Sequence, residues 1–401
     1  MKLLHTSDWH LGRTLYHKKE RYDEHTAFFN WLLETIKENS VELLIVAGDI
    51  FDNASPNSTS QKMYYDFLLN VRKSGCQNVV VVGGNHDSPS FLNAPKEVLA
   101  LLNVFVVGKT SEDIDNEVIV IKDSQKNPIA IVCAVPFLRE RDISKFVEGE
   151  TYKERAKRIA DNIKKHYENV AKIADNKRKN INKNIPIIAT GHLAVLGGKK
   201  TEDDGVKDLY IGNIECSNKD IFPQLFDYVA LGHFHIPSVI DKKVCYSGSP
   251  IPMGFGEANQ TKSVFLVEFE ECSPTINKLE LPVFQQLFSI QGDKSKIATQ
   301  VAELKKMNKS VWVEIIYDGN DIFPNFTDWA NEITQFSKIE IIKLQNKQYW
   351  NELLSKEEYT QSLDQLDKFD VFEKLLEKNR VPDKQKEELN ILYREIVNEV
   401  N

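Results

Sequence analysis

The stretch Leu43-Leu44-Ile45-Val46-Ala47-Gly48-Asp49-Ile50-Phe51-Asp52 sets an unbroken apolar run against an abrupt Gly-Asp stop. Five apolar residues without alternation read as a strand buried on both faces, and Gly48 lets the chain turn sharply off its end. The same grammar recurs at Lys2 to Ser7, Val79 to Val82, Ile185 to Thr190, Tyr228 to Leu231 and Val244 to Ser247, each stopping at Gly or Asp. Between several of these runs lie helical stretches, such as Asp23 to Glu38 with Phe28, Leu32, Leu33 and Ile36 at helical spacing. Residues 1–280 are therefore expected to form an α/β domain of β-sheet layers flanked by helices.

Five segments at these strand ends carry metal-ligand chemistry: Asp8-x-His10, Gly48-Asp49-x-x-Asp52, Gly84-Asn85-His86-Asp87, Gly191-His192 and Gly232-His233-x-His235. In α/β sheets ligands bind beyond the carboxyl ends of the strands, so segments distant in sequence converge there. Each piece alone is weak, because Asn and Asp are ordinary turn residues and a lone Asp-x-His is common on a surface. Their joint occurrence, all at strand ends and holding five of the nine histidines, reads as a transition-metal site. Imidazole and carboxylate together suit Mn, Fe and Zn, and a carboxylate can bridge two ions. A pair of ions about 3.5 to 4 Å apart activates water and polarises the phosphoryl oxygens of an in-line displacement. The expected chemistry is phosphoester hydrolysis. Of the remaining histidines, His5 is expected to be structural and His17, His25 and His166 to lie on the surface.

The bulk of the sequence agrees with an enzyme of this kind. At 401 residues with 41% hydrophobic content the chain fills two or three domains. No run of eighteen apolar residues occurs, and acid and histidine follow soon after Met1, so no membrane span or signal peptide is expected and a cytoplasmic protein is. The five cysteines are scattered, with no Cys-x-x-Cys spacing, which speaks against a disulfide framework or structural zinc. A net charge of -8 argues against coating nucleic acid by charge alone, so any such role is local or metal-assisted.

From Arg139 to Asn184 the chain turns charged and helical, with fourteen Lys or Arg against eight Asp or Glu. This basic insert reads as a solvated helix or as a flank that touches a phosphate backbone. After Glu280 a second pattern begins: strand Gln286 to Gln291, helix Lys294 to Met307, strand Ser310 to Tyr317, helix Asn325 to Phe336 and strand Lys338 to Leu344. It predicts a small α/β domain over 281–347 that contains no histidine. Residues 348–401 predict two amphipathic helices, one with Phe369, Phe372 and Leu376, the other with Leu389, Leu392, Tyr393 and Ile396, parted by Arg380-Val381-Pro382-Asp383. Such a pair packs on its own chain or docks on a partner.

The five strand-end segments resemble the calcineurin-like metallophosphoesterase family at every position of its pattern. By that resemblance one ion is held by Asp8, His10, Asp49 and His235 and the other by Asp49, Asn85, His192 and His233, with Asp49 bridging. His86 is implied to be catalytic rather than a ligand, stabilising the transition state or protonating the leaving oxygen, with Asp87 orienting it and Asp52 nearby. A closer resemblance spans nearly the whole chain. Lys-Leu-Leu-His-Thr-Ser-Asp-Trp-His-Leu-Gly at the start, Ala-Gly-Asp-Ile-Phe-Asp, Gly-His-Phe-His and Tyr246-Ser-Gly-Ser-Pro250 are similar to the SbcD family of nuclease subunits. Asp52 stands where archaeal and eukaryotic relatives have His, in the manner of the bacterial members.

This second resemblance implies a phosphoesterase domain, a small capping domain (281–347) and carboxyl-terminal helices (348–401) that bind an SbcC-type SMC-like ATPase. It further implies a homodimer and a Mn-dependent 3'-to-5' exonuclease and single-strand endonuclease, acting on DNA ends and hairpins in repair and recombination. ATP use is assigned to the partner, consistent with the absence of a Gly-x-x-x-x-Gly-Lys-Ser/Thr loop here. The rivals are a phosphatase, a cyclic-nucleotide phosphodiesterase and a non-catalytic scaffold. Phosphoprotein phosphatases resemble Gly-Asp-x-x-Asp-Arg-Gly and Gly-Asn-His-Glu, whereas Asn53-Ala54 follows Asp52 here and Asp87 follows His86. A cyclic-nucleotide enzyme has no need of the capping domain, and a scaffold has little use for His86.

Overall fold

A computed structural model describes residues 1–145, 147–181, 184–195, 219–319, 321 and 323–347, with Phe372, Leu376, Lys386, Leu389, Asn390 and Tyr393. Two six-stranded sheets dominate. The first runs in the order Ser273–Glu280, Ser263–Glu270, Lys2–Thr6, Leu43–Ala47, Asn78–Val82, Val104–Val107. Its last four strands are parallel, and Ser263–Glu270 pairs antiparallel with both of its neighbours. The second runs Ser238–Asp241, Val244–Tyr246, Tyr228–Gly232, Ile187–His192, Pro128–Cys133, Val118–Lys122, with its four inner strands parallel and antiparallel strands at both edges.

The two sheets pack face to face. Leu3, Leu43, Ile45, Val80 and Val82 of the first meet Ile121, Ala130, Val132, Ile188, Tyr228, Ala230 and Cys245 of the second. Leu44, Val46, Val79 and Val81 point to the other face of the first sheet, under Phe28, Leu32 and Ile36 of helix Tyr22–Asn39 and Phe67, Leu68 and Val71 of helix Ser58–Lys73. Adjacent residues of one strand thus serve two different cores, which is why Leu43–Ala47 is apolar at every position and fully buried. On the far side, Ile159, Ile163, Tyr167, Val170 and Ala174 of helix Tyr152–Ile181 cover the second sheet. Each such fully buried aliphatic side chain contributes about 1.5–3 kcal/mol relative to exposure.

The sequence reading named six of these strands and left out Val104–Val107, Val118–Lys122, Pro128–Cys133, Ser238–Asp241, Ser263–Glu270 and Ser273–Glu280. Ser238–Asp241 and Ser273–Glu280 lie at edges, where half-exposed, mixed-polarity residues replace the apolar run, while the inner strands Pro128–Cys133 and Ser263–Glu270 run on into Ala134 and Glu271 without the Gly or Asp stop that marked the others. The basic insert becomes the long helix Tyr152–Ile181, and much of its charge is paired: Arg155 and Arg158 with Glu140, Arg158 with Glu150, Arg178 and Lys179 with Asp175, and Lys177 with Asp115.

Two histidines expected on the surface are buried. His25 has both ring nitrogens against carbonyl oxygens, of Arg21 at 2.9 Å and Trp9 at 2.7 Å. His166 meets Glu117 at 2.7 Å beneath its helix. Each sits on the apolar stripe of its helix, His25 three residues before Phe28 and His166 three after Ile163, so helical spacing places it inward although the side chain is polar. His5 is buried and His17 exposed, as expected.

The chain divides into two compact units, one of Met1–Ile316 with Asn325–Gln345, the other of Tyr317–Pro324 with Asn346–Asn401. The first unit includes a three-stranded sheet in the order Gln286–Gly292, Val311–Tyr317, Ile339–Asn346, with helices Lys294–Lys306 and Phe326–Thr334. These five elements match the predicted ones to within a few residues. Leu287 and Ile342 of this sheet pack on Leu15 and Phe255 near the strand-end loops, and Lys19 pairs with Glu340 at 2.7 Å. In the second unit Phe372 and Tyr393 are helical residues whose rings stack at 4.0 Å, and Leu376 is buried. Phe369, Leu392, Ile396 and Arg380–Asp383 lie outside the described residues.

Candidate active site

The inner parallel strands of both sheets end on the same side, and all five predicted segments meet there. The loops after Lys2–Thr6 and Leu43–Ala47 run side by side, with Asp8 N–H donating to Gly48 O, His10 N–H to Asp49 O and Leu11 N–H to Ile50 O, each at 2.9–3.0 Å. Asp8, His10 and Asp49 hold left-handed backbone conformations (φ 53°, 48° and 48°), and His233 has φ 106°. Such residues cost roughly 1–3 kcal/mol each and persist where surrounding structure dictates them. Here the reversal turns each side chain back over the strand ends. Gly84 passes so close to Asp49 that a Cβ would lie 2.1 Å from its Oδ1, and Gly232 so close to Ala47 that a Cβ would lie 2.0 Å from its carbonyl oxygen.

Two donor clusters share Asp49. On one side His10 Nε2 and His235 Nε2 face each other at 3.2 Å, and Asp8 joins them with donor atoms within 4.8 Å. On the other, His192 Nε2 lies 3.0 Å from Asn85 Oδ1, which His233 Nδ1 approaches to 3.3 Å. Asp49 Oδ2 stands 3.2 Å from His192 Nε2 and 3.7 Å from His10 Nε2. All seven predicted ligands thus come together.

The protons behind these contacts show what the clusters fit. His10 Nδ1 faces the Asp52 carboxylate at 3.4 Å and His235 Nδ1 the Glu257 carboxylate at 3.5 Å, so both rings keep their proton on Nδ1. His192 donates Nδ1–H to Ala47 O at 3.0 Å. The Nε2 lone pairs of three buried rings are thereby aimed at one another and at the oxygens of Asn85 and Asp49. Lone pairs held this close repel unless a cation lies between them, and a mixed imidazole and carboxylate set suits a divalent transition metal.

The electrostatics follow from burial and pairing. Burial pushes His10 and His233 down to about 3, which keeps them neutral and free to ligate. Burial would also lower His192, but the charge and hydrogen bond of Asp49 carry it up to about 9, so Nε2 draws a positive charge strongly and a metal ion binds there in competition with a proton. Burial works to raise Asp49, yet the charge of His192, together with His10 and His86, holds it well below the usual carboxylate range. Asp8, with fewer compensating partners, is raised by burial.

His86 is placed by two contacts. Its backbone N–H donates to Asp49 Oδ1 at 2.9 Å, and its ring Nδ1–H donates to the carbonyl oxygen of Asp52 at 2.8 Å. The ring stands edge-on to His10 at 4.8 Å, close enough for one nitrogen to form a donor set with His10 and Asp49. The expectation that Asp87 orients this ring is corrected. The buried Asp87 carboxylate instead accepts from the backbone N–H groups of Ile50, Phe51 and Gly84 at 2.8–3.1 Å, fastening the two glycine-containing turns together. Burial, with Asp49 close by, raises its pKa to about 7. Asp52 braces His10 through its side chain, orients His86 through its main chain and pairs with Arg13 at 3.1 Å.

Sequence reasoning missed Glu257 and Lys262. Both are buried and paired with each other; Lys262 also donates to His235 O at 3.1 Å and Ser249 Oγ at 3.0 Å, and Met253 N–H donates to Glu257 at 2.9 Å. No strand ends at Glu257, so nothing in its local sequence set it apart. Ser7, which hydrogen-bonds the Asp8 carboxylate and Ser247 Oγ, was also missed.

Residues 1–237 match the family model described as calcineurin-like phosphoesterase, and residues 283–380 match that described as type 5 capsule protein repressor C-terminal domain. Over its whole length the chain is similar to the SbcD subunit of nuclease SbcCD from Escherichia coli strain K12, 33% identical over 402 residues, covering 98% of this chain and 97% of the relative. It is also similar to the proteins of the same name from Rhodobacter capsulatus, 34% identical over 275 residues, and Bacillus subtilis, 28% identical over 273. Each of these alignments covers 67% of this chain and 66% of the relative. Among the described residues no helix is long and apolar enough to cross a membrane.

Proposed function

The chain belongs to the calcineurin-like phosphoesterase family and, within it, to the SbcD nuclease subunits, and on that basis we propose a two-metal, Mn-dependent DNA nuclease with 3'-to-5' exonuclease and single-strand endonuclease activity. That it is a phosphodiesterase nuclease follows from the family itself. The observation that carries the two-metal reading is the position of Asp49 Oδ2 between His10 and His192, each ring belonging to a different donor cluster. Asp8, His10, Asp49 and His235 would hold one ion and Asp49, Asn85, His192 and His233 the other. Bound there, the ions supply Lewis-acid polarisation of the phosphoryl oxygens and a water nucleophile at neutral pH.

The protein's own residues do the rest. With Nδ1–H committed to Asp52 O, His86 presents Nε2 toward the donor clusters, placed to give a proton to the departing sugar oxygen or to hydrogen-bond the phosphoryl group as charge develops. Asp52 and Glu257 fix the tautomers of His10 and His235, so that the ligating lone pairs are formed before substrate arrives. Asp87 ties the Asp49 and His86 turns into one rigid piece.

The relatives are named as subunits of a complex, SbcCD. We assign this chain an SbcC-type SMC-like ATPase as partner, bound through residues 348–401, with residues 281–347 as the capping domain and DNA as substrate. A homodimer is the proposed state, on the resemblance to the SbcD family. The test is a cleavage assay with Mn that compares end-labelled duplex DNA with a generic phosphomonoester, with and without the ATPase. Shortening of the labelled strand is the expected result; turnover of the monoester alone returns the phosphatase reading to first place.

A further inference from the structure

Beside the Asn85-His86-Asp87 turn lies a cavity of about 380 Å³ lined by Ser90, Asn93, Lys109, Arg139, Arg141 and Asp142. Three cations against one acid make it locally positive on a chain of net charge -8. It is built onto the catalytic centre through Arg139. That guanidinium donates from Nη2 to the carbonyl oxygen of Asp87 at 3.1 Å and lies over the Phe137 ring at 5.7 Å. Phe137 in turn stands edge-on to His192, with ring centroids 6.4 Å apart, and its N–H donates to Gly83 O at 2.8 Å.

Arg139 therefore cannot move independently of the metal-ligand loops, and its Nη1 is buried without a hydrogen-bond acceptor. A cation held in place with a donor unpaired is poised for an anion. Lys109 and Arg141 are exposed, and the Arg141 contact to Asp142 is a long 3.9 Å, so both are free to swing onto a ligand at little cost. The cavity is lined mainly by charged and hydrogen-bonding side chains, is open to solvent and is larger than one phosphate group, as a subsite for a continuous strand must be.

We propose that this cavity is a subsite for a backbone phosphate of the polynucleotide strand whose neighbouring phosphodiester lies over the donor clusters, with Lys109, Arg139 and Arg141 as its anion ligands. The proposal rests on the nuclease reading and deepens it: the metal centre recognises a phosphodiester, and this subsite selects one that belongs to a chain. It explains how a chain of negative net charge engages DNA locally. A substrate without a flanking phosphate makes no use of it.

The test uses the full-length Mn-loaded protein and the variant Lys109→Gln/Arg141→Gln, both exposed positions outside the metal centre. Two substrates are compared: a labelled single-stranded oligonucleotide and bis(p-nitrophenyl) phosphate, a diester with no flanking phosphate. We expect the variant to lose about tenfold in kcat/KM on the oligonucleotide and to show a shallower dependence on salt, by about 0.7 in log-log slope per lost contact. On the small diester it should equal the wild type. Equal losses on both substrates, or an oligonucleotide rate and salt slope that do not change, overturn the subsite while leaving the nuclease reading standing. A wild-type chain that turns over the small diester but neither binds nor cleaves the oligonucleotide overturns the nuclease reading and the subsite with it.

Discussion

The ring Nδ1–H of His86 donates to the main-chain carbonyl oxygen of Asp52 at 2.8 Å. A carbonyl oxygen fixes the tautomer of this ring without adding charge, whereas the carboxylates behind His10 and His235 make those rings stronger ligands. The contrast sets His86 apart from His10 and His235, while His192, assigned as a ligand, shares with His86 a carbonyl partner, that of Ala47.

His86→Ala should therefore retain both ions and lose turnover. Removal of a general acid typically costs about 10²- to 10⁴-fold, and the loss should fall on kcat. Metal content by mass spectrometry or titration, measured beside cleavage rates, decides the matter. A variant that binds one ion fewer makes His86 a ligand, and one with undiminished cleavage removes it from the mechanism.

Glu257 is fully buried between His235 and Lys262, and the Lys262 charge, with the His235 Nδ1–H facing the carboxylate, holds it down to about 2 against the effect of burial. Glu257→Gln takes away the carboxylate that balances the buried Lys262 charge and the acceptor that sets the His235 tautomer. Expected losses are about 3–5 kcal/mol of stability and about 10- to 100-fold in metal affinity. The two effects separate in Glu257→Gln/Lys262→Met, which should recover much of the stability and none of the affinity. Wild-type metal affinity in either variant contradicts the orienting role.

The convergence of the seven candidate ligands was legible in the sequence because each follows an apolar strand and a sharp turn, and turn residues are written locally. Glu257 and Lys262 were not, because their importance comes from what lies across the site rather than from their own neighbours. The stacking of two sheets was hidden for a related reason. An apolar run such as Leu43–Ala47 reports burial on both faces without saying whether helices or a second sheet provide the cover. His25 and His166 lie in step with the apolar stripes of their helices, with Phe28 and Leu32 and with Ile159 and Ile163, and were misplaced because the polarity of the imidazole was read as exposure in spite of that spacing.

His5 lies in the core between the sheets, with Nδ1 at 2.9 Å from the Tyr228 hydroxyl and its ring stacked on Phe265, and burial lowers it to about 3 from 6.5. The unfolded chain binds a proton here below pH 6.5 and the folded chain does not. Stability from this group is thus complete above that pH and declines as pH falls toward 3, by about 1.4 kcal/mol per unit. His5→Gln cannot titrate, so its chelator-treated form should lose about 2 kcal/mol less than the wild type between pH 7 and pH 5. Urea unfolding at the two values checks this; parallel losses in the two proteins show that His5 is already protonated in the fold.

The close approach of Gly84 to Asp49 gives the sharpest prediction about the shared ligand. A Cβ at residue 84 would sit 2.1 Å from Asp49 Oδ1 and 2.3 Å from its main-chain nitrogen, and neither can yield freely. Asp49 is locked in a left-handed conformation, and its Oδ1 already accepts the N–H of His86. Gly84→Ala must push the carboxylate away from the point midway between His10 and His192, the position that makes it common to both donor clusters. Cleavage should fall by at least about 10²-fold, since an ångström of misplacement has that cost, and bound metal should fall with it. Gly75→Ala is the control. Gly75 has φ +100° with nothing within 4 Å of the new Cβ, so it carries only the backbone strain of a left-handed alanine, about 1–2 kcal/mol, and should keep full activity. If Gly84→Ala instead binds two ions and cleaves like the wild type, Asp49 does not need the position this structure gives it, and the bridging assignment fails.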